Sequence, residues 1–251
     1  MLCAGKENPF FLLIIYTVGI SRALVTKKER NYLERYGYIE ERGLLSTLTT
    51  TSIRRAISQF QGYAGLPKTG KLNFETKEAM RSPRCGNKDK LISLRSIDRW
   101  KKKKLTFRLR NYPTNSRLAK EEVDAEVEKA FAMWQEKSPL RFTKKQFGKV
   151  DIEISFEKKY HGENDYFDKG ELAHAFLPQD GGDIHIADSE FWTKDEYNGK
   201  NLLWTVVHEL GHSLGLKHSE ASGAVMAPLY IGWDPFLALS QDDIEKILSR
   251  Y

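Results

Sequence analysis

His208-Glu209-Leu210-Gly211-His212-Ser213-Leu214-Gly215-Leu216-Lys217-His218 sets three imidazoles and one carboxylate within eleven residues. On a helix, positions four apart share a face, so His208 and His212 reach a single ion. Gly211 and Gly215 are helix-breaking in type. Gly215, free of a Cβ, ends the helix in a left-handed conformation and turns the chain so that His218 approaches the same ion from another side. Three neutral nitrogens leave one tetrahedral position open, the arrangement of a hydrolytic zinc centre. Glu209 stands where a general base is needed to take a proton from an activated water and pass it on.

Downstream, Ala224-Val225-Met226-Ala227-Pro228 places a methionine shortly after His218. An isolated Met is usually core filler. Joined to the long histidine motif, Met226 reads as the apolar floor of the zinc site. Upstream, Pro83-Arg84-Cys85-Gly86-Asn87-Lys88-Asp89 carries a thiol in a turn-forming context. A thiolate is a strong zinc ligand, so Cys85 can fill the fourth position and exclude water. The chain has two cysteines. Cys3 precedes an apolar stretch read as a removed leader, so Cys85 has no intramolecular disulfide partner.

With these motifs the chain resembles the matrix metalloproteinases, or matrixins, of the metzincin clan, in a minimal, matrilysin-like layout without a haemopexin domain. The resemblance implies an α+β fold: a mixed twisted sheet with three helices, preceded by a small all-α propeptide bundle. It implies a secreted zinc endopeptidase made as a latent zymogen, acting on extracellular matrix or other extracellular proteins. It also implies an Arg84–Asp89 salt bridge holding the cysteine loop. Asn87-Lys88 departs from the family's Val-Pro, a change expected to tune loop stiffness only. By the same resemblance, Asp242 or Asp243 partners the ammonium freed on activation.

The organisation expected is a signal peptide over 1–23, a propeptide over 24–93 and a catalytic domain over 94–251. Residues Phe10 to Ile20 are apolar but too few for a span of roughly twenty. Tyr32 to Tyr38 and Ile53 to Phe60 carry helical patterning. Phe60 to Leu72 resembles the matrixin propeptide and, more distantly, peptidoglycan-binding modules. Lys101 to Lys104 reads as a polyanion patch, a processing site or a solvated strand entry. With no furin-type site, maturation is expected near Ile92 to Ile97. Leu105 to Asn111 and Val150 to Phe156 read as strands, and Leu118 to Lys137, 201–214 and Gln241 to Leu248 as helices.

All six histidines lie between His161 and His218. His161, His174 and His185 flank strand-like segments and, with one carboxylate, can close a second zinc site. By resemblance this is a structural zinc whose carboxylate is Glu163, where the family has Asp. Two Zn²⁺ per chain are therefore expected. Asp168 and Glu190 match two positions of a family Ca²⁺ site. Lys169 and Ala187 depart from it, so calcium binding is expected to be weakened or lost. Trp204, four residues before His208, walls the family's S1' pocket, with Pro228 and Tyr230 on the outer side. A small or medium aliphatic P1' residue is expected. Leu172 and Ala173 belong to an edge strand that pairs with extended substrate.

The net charge of +6 points to acidic matrix polysaccharides as partners, beside tissue-inhibitor-type proteins. A monomer that binds neither nucleic acid nor membrane is expected. Two rival readings are a peptidoglycan hydrolase and a non-peptidase zinc-binding adhesive module, and intact Glu209 separates the second from an enzyme.

Overall fold

The computed structural model describes residues 25–40, 49–90, 99–162 and 165–251. The leader, the expected maturation segment from 92 to 97 and Glu163 lie outside the described residues.

The first unit is helical, and its helices start where side chains can satisfy free N–H groups. Helix α1 (Lys27–Arg35) begins at Thr26, whose hydroxyl accepts from Glu29 N while the Glu29 carboxylate accepts from Thr26 N, a reciprocal cap. Helix α2 (Thr50–Tyr63) is capped by Thr49 and the short α3 (Phe74–Ala79) by Asn73. Leu33, Tyr36, Ile57 and Phe60 close a small core of their own. Gln61, buried within α2, accepts from Gly70 N and donates to Lys71 O and Thr76, which ties the 66–72 loop to the bundle.

The second unit is built on a six-stranded sheet whose edge strand, β1 (Arg84–Cys85), is added by the segment that follows the helical unit; the others are β2 (Lys104–Leu109), β3 (Arg141–Lys144), β4 (Ile152–Glu157), β5 (Glu171–Ala175) and β6 (Ile184–Ala187). Spatial order is β1-β5-β6-β4-β2-β3, with β5 antiparallel to β6 and the other pairings parallel. The outermost strand on the β5 side, β1, is thus the cysteine segment itself. Strands β7 (Trp192–Thr193) and β8 (Lys200–Asn201) form a separate short pair.

Helix α4 (Lys120–Glu136) buries Val123, Val127, Ala130, Phe131 and Trp134, the stripe expected at helical spacing. Trp134 Nε1 donates to Val207 O at 2.9 Å, fastening α4 to helix α5 (Leu202–Ser213). Every residue of α5 is buried. That helix is therefore held on all sides, a rigid mount for its histidines. Helix α6 (Gln241–Arg250) is capped by Ser240. Its Asp243, fully buried, accepts from Val225 N and Met226 N and so fixes the methionine turn. Asp242 pairs with Lys246 at 2.7 Å and accepts from Ser219. Of the two aspartates expected to receive an ammonium group, only Asp242 stays partly exposed. Among the described residues, no helix is long and apolar enough to cross a membrane.

Candidate active site and its cysteine plug

Helix α5 ends in a Schellman turn: Leu216 N donates to Gly211 O, Gly215 N donates to His212 O, and Gly215 has φ +91°. This is the expected turn, and it carries His218 back towards His208. Gly211, by contrast, stays inside the helix. A Cβ there would lie 2.2 Å from Met226 Sδ, so glycine is required for the methionine to lie directly beneath the histidines.

His208, His212, His218 and Cys85 bring one ligand atom each to within 4.8 Å of one another, and all four are buried. Tautomers are set by the outer nitrogens. His208 Nδ1 lies 2.7 Å from Val225 O and His212 Nδ1 2.8 Å from Leu216 O, so each Nδ1–H donates and each Nε2 keeps its lone pair for the centre. His218 Nε2 is 3.2 Å from His208 Nε2, while its Nδ1 faces Asp89 Oδ1 at 2.6 Å. Burial, then the neighbouring imidazoles, pushes His208 well below the usual histidine range and His212 down to about 3. Neutral rings are the form that binds a metal. His212 Nε2 and Glu209 Oε2 are buried with no hydrogen-bond partner, orphans that a divalent cation and a water would satisfy. The donor set of three imidazoles and one thiol fits zinc.

Glu209 lies beside the cluster, 1 % exposed, and burial raises its carboxyl to about 8. Burial and the nearby Glu209 also push the Cys85 thiol up, the cost that a cation at the centre would reverse.

The cysteine segment is held along both edges. Arg84 N donates to Gly170 O and Gly86 N to Ala173 O on the β5 side, while Cys85 N donates to Pro228 O and Tyr230 N to Pro83 O opposite. The expected substrate edge, Leu172-Ala173, therefore carries the prodomain strand in parallel register. Arg84 and Asp89 form the expected pair, both buried. Tyr36 stacks on the Arg84 guanidinium, 3.4 Å from ring centroid to Cζ, and Tyr38 OH donates to Asp89. Arg84 and then His218 outweigh the burial of Asp89 and hold its carboxyl at about 2.

Asn87 does more than stiffen the loop. Its Nδ2 donates to Ala175 O at 2.8 Å and its Oδ1 accepts from Ala175 N at 2.9 Å, so the side-chain amide pairs with β5 as another strand would. No local pattern in the sequence signals that Ala175 lies opposite.

Trp204 is stacked on His208, with ring centroids 5.1 Å apart, and meets Tyr230 edge-on at 5.1 Å. With Pro228 these are the side chains expected around the S1' pocket.

A second cluster gathers His161, His174, His185 and Asp165. Asp165 Oδ1 lies 2.8 Å from His174 Nε2 and 3.2 Å from His161 Nε2, and Oδ2 lies 3.0 Å from His185 Nδ1. Burial opposes ionisation of Asp165, but His174 and the other two rings outweigh it and hold the carboxyl at about 2. Among the described residues, the carboxylate that meets the three imidazoles is Asp165, while the expected Glu163 lies outside the described residues. The loop carries two acidic residues two positions apart, and its turn directs the later one inward, with His161 N and Gly162 N both donating to Asp165 O.

Asp168 and Glu190 belong to neither cluster. Asp168 instead faces Arg35 of the helical unit at 3.5 Å.

A family model described as Matrixin matches residues 99–251, and one described as a putative peptidoglycan binding domain matches residues 27–80. The chain is 41 % identical to an interstitial collagenase of Sus scrofa over 88 % of its length and 48 % of that protein's. It is 39 % identical to a neutrophil collagenase of Homo sapiens, covering 98 % of this chain and 55 % of that one. Identity to matrix metalloproteinase-19 of Homo sapiens is 37 %, over 96 % and 48 % respectively. The chain spans about half the length of the curated relatives it matches. A catalytic-type histidine helix, a methionine floor and a cysteine plug borne by a helical bundle thus coincide with sequence similarity along nearly the whole chain, which belongs to the matrixin family.

Proposed function

We propose that this chain is a secreted zinc endopeptidase held latent by its own prodomain until Cys85 leaves the centre. The observation that carries the reading is the convergence of Cys85 with His208, His212 and His218 beside an unpartnered Glu209 oxygen. His208, His212 and His218 would hold a zinc ion, which would supply Lewis acidity to a water and to the scissile carbonyl. Glu209 takes the proton from that water and delivers it to the leaving amine. The two edges that now grip residues 83–86 hold an extended substrate by main-chain hydrogen bonds. Cys85, while seated, fills the position that water needs.

Substrates are extracellular proteins, matrix components among them, in keeping with the collagenases and the metalloelastase to which the chain is similar. The bulk of Trp204 favours small or medium aliphatic P1' residues. The second cluster, closed by Asp165, holds a structural zinc, giving two ions per chain. The boundary between prodomain and mature enzyme falls near residue 93, and Asp242 receives the new ammonium group. Trp100 N donates to Tyr251 Oη, so residue 100, a few positions after that boundary, lies beside the end of α6.

The test is to treat purified protein with an organomercurial thiol reagent and follow casein cleavage with and without a zinc chelator. Activity should appear on treatment and vanish with the chelator. Absence of any gain removes the latency model, and activity on cell wall but not on casein would favour a peptidoglycan hydrolase.

A further inference from the structure

Arg35 of α1 crosses from the prodomain to the catalytic unit and is received there as a ligand would be. Its Nε and Nη2 each donate to one oxygen of Glu171, both at 3.0 Å, a bidentate fork. Asp168 Oδ2 stands 3.5 Å from Nε. The Tyr166 ring lies beneath the guanidinium, 4.8 Å from centroid to Cζ, and Tyr166 O lies 3.5 Å from Nη2. Two carboxylates, an aromatic face and a carbonyl therefore enclose one guanidinium, and all of them belong to the catalytic unit.

The cradle adjoins the scissile slot. Glu171 is 2 % exposed and begins β5, and a Cβ on Gly86 would lie 3.2 Å from its Cδ and Oε2. Arg35, Tyr36 and Gly86 all leave with the prodomain. Of the hydrogen bonds to the Glu171 carboxylate, the 2.7 Å one from Asp168 N then remains, while that from Tyr36 Oη to the other oxygen is gone. In the slot, Cys85 points at the histidines, so in an extended chain its neighbours point to the opposite side. Glu171 is on that side. An extended substrate therefore sends the residues flanking its zinc-facing residue towards the vacated cradle.

We propose that the Glu171–Asp168–Tyr166 cradle is a specificity site of the mature enzyme that takes an arginine side chain of the substrate, at an outward-facing position next to the zinc-facing residue. The idea rests on the peptidase reading above. Arginine is favoured over lysine because only a planar guanidinium makes the fork and the ring contact together.

The test uses the thiol-reagent-activated enzyme on fluorogenic peptides that share a small aliphatic P1' residue and carry Arg, Lys, Gln or norleucine at each outward-facing neighbour. At one of these positions kcat/KM should be about tenfold higher for Arg than for Gln, with Lys between. The ratio should fall towards one in Glu171→Gln. In the unmodified enzyme it should shrink as salt is raised, a reading that does not depend on the variant folding. Cleavage without preference for Arg would overturn the cradle while leaving the peptidase reading intact. So would Lys equal to Arg, a preference that persists in Glu171→Gln, or a cradle that rebinds only the released prodomain. No cleavage of any peptide would remove the peptidase reading and the cradle with it.

Discussion

The two ligand clusters differ in where their fourth group comes from. His208, His212 and His218 arise from one helix and its turn, and the thiol that completes them sits on a strand supplied by another unit. His161, Asp165, His174 and His185 all come from one sheet edge and its loop, and none of them can leave without unfolding that edge. The first set is fully buried and the second only partly so. A donor borne by a removable segment makes a centre that can be opened, whereas a donor borne by the same loop makes a permanent staple. Chemistry is therefore expected at the first cluster and stability at the second.

The largest effect should follow removal of the proton carrier at the openable centre. Glu209→Gln, after thiol-reagent treatment, should lose activity by about 10²–10⁴-fold while keeping its zinc, measured by casein cleavage beside elemental analysis. Loss of zinc together with activity would mean that Glu209 holds the centre together and that its catalytic role is unsupported.

Next comes the lock on the plug. Asp89 is buried between Arg84 and His218, so Asp89→Ala strands a guanidinium inside the prodomain interface. Breaking a buried pair in this way costs about 3–5 kcal/mol. The variant should cleave casein before any thiol reagent is added. A variant as silent as the parent would show that the thiol alone keeps the slot closed.

The permanent cluster should respond in metal content and stability. Asp165→Ala should lower bound zinc from two ions to one per chain, where Glu163→Ala should leave two. At zinc a hundredfold above its Kd, the lost site is worth about 2.7 kcal/mol, or roughly 5–10 °C in melting temperature for a unit of this size. The opposite result, zinc lost only in Glu163→Ala, would restore the expectation drawn from spacing.

Why spacing speaks more plainly for one cluster than for the other follows from backbone geometry. Along α5 the repeat of the helix fixes side-chain direction, and Gly215 can be recognised as the turn residue because its place after the periodic run leaves few alternatives. Cys85 was legible for a different reason, the reactivity of a lone thiol among turn-forming residues. Strands β2 and β4 and helix α4 were marked by their apolar patterns to within a few residues, whereas β3, exposed along most of its length, was not. In the loop after His161 no repeat fixes direction, and Glu163 and Asp165 could be separated only by the path of the turn. Asp89 beside His218, Arg35 in its cradle and Met226 against Gly211 are long-range contacts. Nothing local in the sequence signals them, although a glycine retained inside an otherwise apolar helix marks a close approach.

Asn87 gives the finest test of how the removable donor is retained. Its amide makes two hydrogen bonds to Ala175, at the end of the edge strand opposite to where Arg84 is held by Gly170 O. Each such bond contributes about 1 kcal/mol net. Asn87→Val removes both, together with the longer 3.5 Å contact from Cys85 Sγ to Asn87 Oδ1, and leaves the Ala175 N–H and C=O to water, with the Arg84–Asp89 pair untouched. Spontaneous opening, followed as the rate of Cys85 labelling by a chromogenic disulfide, should therefore rise by about thirtyfold, less than for Asp89→Ala. Metal content should stay the same. An unchanged labelling rate would mean that the plug opens from its Arg84 end first, with the Asn87 end still docked in the rate-limiting step. The double variant would then open no faster than Asp89→Ala alone, whereas locks released together should give rates that multiply.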